Sequence, residues 1–276
     1  MPENIKLIPS TDTIEPASPA EIAAHLLECY EQSMAVYPVG GQTALDYGLP
    51  ATTVGIAVST KAIDQVIDFP VRDLTITVEA GIPMQRLANL LEAEGLMLPL
   101  DVPQAEQATL GGVIATNTNG PRRFGLGTVR DYVIGIEAVD GKGQLFHGGG
   151  RVVKNVAGYD LCKLLTGSLG TLGVITAATV KVKPISEQTT TVVAIVPNSH
   201  SGEAAVASML VSDATPVAVQ WLQGDCWQQI CGGGSKTASQ SIMAIQLAGT
   251  TAEVDWSQAT VLRELKAAGL TDGSIL

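Results

Sequence analysis

Apolar positions recur along this chain at three different spacings, and the spacing separates helices from strands. Ser18-Pro19-Ala20-Glu21 has the form of a capping box with proline at the first helical position. Ile22, Leu26 and Tyr30 follow at helical spacing and predict a helix to about Gln32. Residues 35–39 read as a short buried strand and residues 53–58 as a second. Ile63, Val66 and Ile67 suit a brief turn or helix. Leu74-Thr75-Ile76-Thr77-Val78 alternates and is β-rich, a strand ended by Gly81. Pro83 then opens a helix with Leu87, Leu90 and Leu91 on one face and Gly95 as its C-cap.

From Pro99 the sequence turns to glycine, threonine and short β runs. Residues 133–139 and 144–147 flank Asp140-Gly141-Lys142-Gly143, a hairpin signal, so an antiparallel sheet is expected. Residues 156–165 suit a helix, and residues 173–182 form a long β run that stops at Pro184. A new pattern begins at Ile185. It predicts strands at 190–196, 217–221 and 242–247, with helices at 203–211 and 254–268. The expected class is α+β. Residues 1–184 make one domain of two α/β subdomains, about 1–98 (a small mixed sheet) and 99–184 (antiparallel), and residues 185–276 make a short α+β cap.

Composition narrows the function classes. At 276 residues, 46% apolar and 16% charged, the chain has enough apolar material for a sizeable core. A net charge of −11 and 4% aromatics oppose nucleic-acid binding and anionic membrane surfaces. No signal pattern or run of about 18 apolar residues is present, which predicts a cytoplasmic protein without a transmembrane segment, membrane-associated only through partners. Four cysteines (Cys29, Cys162, Cys226, Cys231) are too few for a disulfide scaffold and read as reduced thiols.

Two loops carry the candidate chemistry. In Pro38-Val39-Gly40-Gly41-Gln42-Thr43, successive backbone N–H groups in a glycine-rich turn suit an anion, and Thr43 adds a hydroxyl. Ala108-Thr109-Leu110-Gly111-Gly112-Val113-Ile114-Ala115-Thr116-Asn117 has the same character and opens a helix whose dipole would favour a phosphate. Together they predict a clamp on one pyrophosphate. Either loop alone is also compatible with an ordinary strand-to-helix turn.

Other motifs are set aside. Gly167-Ser168-Leu169-Gly170-Thr171-Leu172-Gly173 runs into a strand, whereas a dinucleotide fingerprint runs from strand into helix. Gly232-Gly233-Gly234-Ser235-Lys236-Thr237 has its lysine after serine and is not a P-loop. Cys226 and Cys231 lack companion ligands for zinc, and His25, His147 and His200 are scattered. No metal site is expected.

At these residues the chain resembles the FAD-binding domain of the vanillyl-alcohol oxidase/p-cresol methylhydroxylase (PCMH) superfamily. The resemblance rests on residues 38–43, 74–81, 108–117 and 167–175. Gly120-Pro121-Arg122-Arg123, Gly127-Thr128-Val129-Arg130-Asp131-Tyr132-Val133 and Lys154-Asn155-Val156-Ala157-Gly158-Tyr159-Asp160-Leu161 resemble the FAD-binding E-type subunits of bacterial glycolate oxidases. The resemblance covers about residues 20–184. It implies a PCMH-type fold with a cap, and FAD as cofactor. Pro38, Val39, Gly40, Gly41, Gln42 and Thr43 would bind the pyrophosphate. Thr109, Leu110, Gly111, Gly112, Ala115, Thr116 and Asn117 would line the diphosphate and ribityl region. Gly120 and Gly125 would pack near the flavin, and Gly173, Val174 and Ile175 would meet the adenosine end. Gln42 stands where related oxidases often carry a flavin-linking histidine, which implies non-covalent FAD.

The chain departs from that family in three ways. Its first loop has one glycine fewer than many relatives, Leu169 replaces a frequent glutamate, and the His-rich metal motif of the hydroxy-acid-oxidising relatives is missing. The resemblance implies a flavoprotein subunit of a glycolate-oxidising complex, acting on a 2-hydroxy acid with a second flavoprotein and an iron–sulfur subunit as partners. The alternative is an FAD-binding electron-relay or structural subunit of the same complex. No catalytic base is identified, and Arg122, Arg123 and Lys154 are the cations available to a carboxylate or to the flavin edge.

Overall fold

The structure, a computed structural model, describes residues 8–150, 158–224, 227 and 241–276. Contacts divide the chain into two units: Met1–Asn119 with Thr128–Pro184, and Gly120–Gly127 with Ile185–Leu276.

In the first unit, strands β1 (Ser10–Ile14), β2 (Ala35–Val39) and β3 (Gly55–Ser59) form a parallel sheet in the order β1-β3-β2. Helix α1 (Pro19–Glu31) begins where the Ser18 side chain accepts the Glu21 N–H at 3.2 Å, and the Glu21 carboxylate accepts the Ala17 N–H at 2.9 Å. Its Ile22 and Leu26 pack with Val58, Ile63, Val139 and Val174.

A five-stranded antiparallel sheet completes the frame of this unit. Its strands are β4 (Val66–Asp68), β5 (Thr75–Glu79), β7 (Val133–Val139), β8 (Leu145–Gly149) and β9 (Val174–Lys181), in the order β4-β5-β9-β7-β8. Short strands β6 (Leu96–Met97) and β10 (Lys183–Pro184) pair separately. Helices α2 (Met84–Glu92) and α3 (Leu110–Thr116) cover one face of the large sheet. There Leu87, Leu91, Leu110 and Ile114 pack on Ile76, Val78, Ala178 and Val180. The β7–β8 hairpin turns as its sequence predicts. Asp140 Oδ1 accepts the N–H groups of Lys142 and Gln144 at 2.8 Å each, and Gly143 adopts φ +75°.

Several expectations are corrected. Residues 66–68 form a strand where a turn or helix was expected, because β5 offers them a ladder. That strand and β5 belong to the large sheet, so the sheets do not divide at residue 98. The helix expected over 156–165 is α6 (Leu161–Leu165), opened by Asp160 accepting the Lys163 N–H at 2.9 Å; residues 156 and 157 lie outside the described residues.

The second unit is an antiparallel sheet of β11 (Gln188–Val196), β12 (Ala218–Gln223), β13 (Ser241–Gly249) and β14 (Thr271–Ile275), in the order β12-β13-β11-β14. Helices α7 (Ser199–Leu210) and α8 (Thr251–Ala267) share its core, with Ala205, Met209, Val261 and Leu265 against Val192, Ala194, Met243 and Ile245. The closing strand β14 was not expected from the sequence.

The same unit takes in a strap from far upstream. Within Gly120–Gly127, helix α4 (Arg123–Leu126) lies beside β12, and the Gly125 N–H donates to Val217 O at 3.1 Å. Glycine is required there, since a Cβ would stand 2.5 Å from Pro216 O. The strap's roots are in the first unit. Asn119 Oδ1 accepts the Val129 N–H at 2.9 Å, at the start of α5 (Val129–Tyr132). Asp131 returns its carboxylate to the Thr128 N–H and hydroxyl at 2.7 and 2.8 Å.

Candidate functional site

Strand β2 delivers the first glycine loop to the edge of the parallel sheet, and α3 rises from the second loop beside it. The two loops are pressed together. A Cβ on Gly40 would come 2.1 Å from Thr109 Oγ1, and one on Gly41 would come 1.8 Å from the Gln107 carbonyl oxygen. Both glycines are therefore demanded first by loop-on-loop packing, a reason that sequence alone does not separate from close approach to a ligand.

Beside this contact lies an open cavity of about 680 Å³, lined by first-unit residues. The first loop lines it from Pro38 through Thr43. Thr109, Gly111, Gly112, Ala115 and Thr116 line it from α3, and Gly173, Val174 and Ile175 from the start of β9. The structure thus brings together fourteen of the eighteen residues singled out from the sequence.

Four residues stand elsewhere. Leu110 is wholly buried among Ile82, Leu87 and Ile114 and does not line the cavity. Asn117 ends α3 in the left-handed region at φ +51°, where its carbonyl and side chain accept from Asn119 Nδ2. Gly120 and Gly125 belong to the second unit's strap. Arg122 and Arg123 lie on that strap as well. Lys154, Cys226, Cys231 and the segment 232–237 lie outside the described residues.

The backbone donors are distributed unevenly between the loops. At the start of α3, Leu110 N–H donates to Ile82 O at 3.0 Å and Gly111 N–H to Ala80 O at 2.8 Å. Gly112 N–H donates to Thr109 Oγ1 at 3.3 Å, and Val113 N–H to Thr109 O at 2.9 Å. The anion-binding helix start expected from the sequence is corrected by these bonds, since its first-turn donors already serve the fold. In the first loop, by contrast, the N–H groups of Gly40, Gly41, Gln42 and Thr43 have no hydrogen-bond partner among the described residues. Gln42 holds φ +61°, which helps turn successive donors to one side.

The sequence reading missed part of the wall. The glycine-rich turn before β9, set aside for its context, contributes Leu169, Gly170 and Thr171. It is docked on the end of α3, where Gly167 N–H donates to Ile114 O at 3.0 Å and Leu169 N–H to Ala115 O at 2.8 Å. Gly167, Leu169 and Gly170 are all left-handed there, and the two glycines were the available signal in the sequence. Tyr37, Tyr47, Thr60 and Thr118 also reach the cavity, and they carry no motif.

Among the described residues the wall is neutral. It holds threonine hydroxyls, backbone and apolar side chains. Its ionisable members are Tyr37, whose hydroxyl donates to Thr53 O, and Tyr47. Such a surface binds an anion through backbone dipoles and hydroxyls, not through a counter-charge. Among the described residues, no group of three His, Cys, Asp or Glu is placed to hold a metal ion, and no helix is long and apolar enough to cross a membrane.

Comparison with known proteins bears on this cavity. Residues 12–149 match the family model described as FAD binding domain. The glycolate oxidase subunit GlcD of Bacillus subtilis is 34% identical over 209 residues, 76% of this chain and 44% of that protein. Glycolate oxidase subunit GlcE of Escherichia coli is 39% identical over 146 residues, covering 52% of this chain and 41% of that protein. A D-2-hydroxyglutarate dehydrogenase of Xanthomonas citri pv. viticola is 36% identical over 166 residues, 60% of this chain and 35% of its own length. The matched stretch spans less than half of each of these relatives. Among solved structures, an alkyldihydroxyacetonephosphate synthase shares the fold, with a TM-score of 0.76 over 95% of this chain and 51% of that chain, at 19% identity.

Proposed function

We propose, from the premise that this chain belongs to the FAD binding domain family and takes FAD as its cofactor, that it is a flavoprotein subunit of a complex oxidising a 2-hydroxy acid. The single observation that carries the cofactor site is the row of N–H groups from Gly40 to Thr43, without a hydrogen-bond partner among the described residues, in the wall of a cavity of about 680 Å³. That volume is in the range of cofactor pockets. The row suits the pyrophosphate, with the Thr43 and Thr109 hydroxyls as further donors. Gly112, Ala115 and Thr116 border the path away from it because their small side chains leave room. Gly173, Val174 and Ile175 close the wall with backbone and apolar surface.

The chemistry FAD supplies is two-electron redox, here the acceptance of a hydride from the α-carbon of the acid. This chain's own residues bind the cofactor, fix its orientation and exclude water around it. Gln42 has no nucleophilic atom of the histidine type, so the cofactor is held non-covalently. The substrate class and a multi-subunit setting are supported by the named relatives, three of which are glycolate oxidase subunits or a 2-hydroxy-acid dehydrogenase; a second flavoprotein and an iron–sulfur subunit as the partners are what the sequence resemblance implies.

A second reading is favoured by the cavity wall, which offers no carboxylate or imidazole among the described residues to take the substrate's hydroxyl proton. In that reading the chain holds FAD as an electron relay or structural subunit while a partner oxidises the acid. Two measurements test the proposal. Acid precipitation of the purified chain releases yellow flavin into the supernatant; a yellow pellet overturns the non-covalent assignment. Anaerobic addition of glycolate bleaches the flavin band if the chain is itself the oxidising subunit. Bleaching that appears only after its partners are added supports the relay.

A further inference from the structure

Two large apolar-bodied side chains at the cavity's border are far more exposed than the valines of the same wall. Tyr47 is 61% exposed and Leu49 is 95% exposed, although both line the cavity. Val39, Val113 and Val174 in the same wall are at most 3% exposed. One exposed leucine is ordinary on a protein surface, but Leu169 lines this cavity too and is 43% exposed. Gly48 joins them, since a Cβ there would meet Leu169 Cδ1 at 3.2 Å. Tyr47, Leu49 and Leu169 therefore make an apolar patch beside a cavity, the setting in which such patches mark ligand contact.

The segment that carries Tyr47 and Leu49 is hydrogen-bonded around its ends and exposed at its tip. Tyr47 N–H donates to Ala44 O at 3.2 Å, and downstream the Tyr37 hydroxyl donates to Thr53 O. Between these anchors Gly48 takes φ +85°, a left-handed conformation that glycine adopts without a Cβ penalty. The tip follows the anion-suited row Gly40–Thr43 by only a few residues. FAD carries a flat, apolar-faced ring system on either side of its pyrophosphate, so a pyrophosphate on that row brings one ring within reach of the tip.

We infer that Tyr47 and Leu49 are cofactor-contacting residues, which settle over one planar ring of bound FAD and are buried by it. This inference rests on the FAD reading above. It goes beyond it by assigning two residues that no motif marks, on a segment with no glycine row of its own.

The test uses the full chain stripped of flavin. Titration with FAD shows the Tyr47→Ser/Leu49→Ser double variant binding at least about tenfold more weakly than wild type, the minimum expected from losing two buried apolar contacts. The thermal midpoints of the two flavin-free proteins coincide, because neither side chain is buried without ligand. In parallel, chymotrypsin cuts wild type at the Tyr47–Gly48 bond, and FAD suppresses that cut. Tyr159, 92% exposed and absent from the cavity wall, serves as the internal reference and is cut at the same rate in both states. Titration with ADP identifies the ring: the double variant loses ADP affinity if the adenine is covered and keeps it if the isoalloxazine is.

Equal FAD affinity for variant and wild type, or unchanged cleavage after Tyr47 under saturating FAD, overturns the inference while leaving the FAD reading intact. Failure of wild type to bind FAD at all overturns both.

Discussion

Gly41 and Gln107 touch so closely that a side chain on the first would occupy the carbonyl oxygen of the second: the Cβ-to-oxygen distance would be 1.8 Å. A Cβ on Gly112, on α3 in the same wall, would meet only Thr109 Oγ1 at 3.3 Å. The two glycines therefore answer to different pressures. Gly41→Ala is expected to cost about 1–3 kcal/mol of stability in the flavin-free chain, as overpacking against backbone does. Gly112→Ala sits within α3, where alanine is favoured over glycine by roughly 0.5–1 kcal/mol, and leaves stability unchanged or raised. Its methyl enters the cavity instead and weakens FAD. Thermal denaturation without flavin, set beside FAD titration, separates the two effects.

The neutral wall predicts an unusual indifference to pH. With no carboxylate, imidazole or ammonium lining the cavity among the described residues, FAD affinity varies less than about threefold between roughly pH 5.5 and 8.5. Fluorescence titration across that range checks it. A steep slope would mean that a charged group reaches the cofactor.

Asp131 predicts a change on the acid side. The Thr128 N–H and hydroxyl bonds to its carboxylate hold it below the usual carboxylate range. A depressed folded-state value means that its contribution is present at neutral pH and disappears as pH falls through that value. Asp131→Asn is accordingly less stable than wild type at pH 7, and the gap closes as pH falls below the ordinary carboxylate range. Urea denaturation at neutral and at acid pH measures the gap.

Cys162 predicts the alkaline counterpart. Burial first, and then the charge of Asp160, pushes its thiol up to about 11. Burial, reinforced by Glu28, raises Cys29 as well. The protonated thiol is favoured by the fold, so this stabilisation is complete below the ordinary thiol value and is lost as pH climbs toward about 11. Iodoacetamide at about pH 8 leaves both residues unmodified in the native chain and labels them once urea is added, as peptide mass mapping reports. Cys162→Ala reduces the loss of stability between about pH 9 and 11.

Much of the frame was legible because its signals are local. The strand Thr75–Glu79 and the hairpin around Asp140 follow from alternation and turn chemistry, and α2 follows from the spacing of Leu87 and Leu91 behind Pro83. Three of the strands that escaped, Ser10–Ile14, Val66–Asp68 and Thr271–Ile275, are short, mostly exposed edge strands. They exist because a neighbour supplies a ladder, and nothing in their own residues announces it. The site divides in the same way. Glycine pairs advertise close approach, and fourteen of the named residues do line the cavity. What a glycine approaches is a tertiary fact. The carbonyls of Ala80 and Ile82, which take the N–H groups at the start of α3, are invisible to any spacing rule.

The strap that gives its Gly125 N–H to Val217 has a consequence for how the molecule is made. On the ribosome residue 125 emerges about ninety residues before residue 217, a delay on the order of 5–20 s at ordinary elongation rates. Throughout that interval α4, a single turn with no buried side chain, has no sheet to lie against, while its roots at Asn119 and Thr128 are already available to the first unit. The nascent chain must therefore carry an open eight-residue bight out of a folding unit and hold it unclaimed until β12 is synthesised.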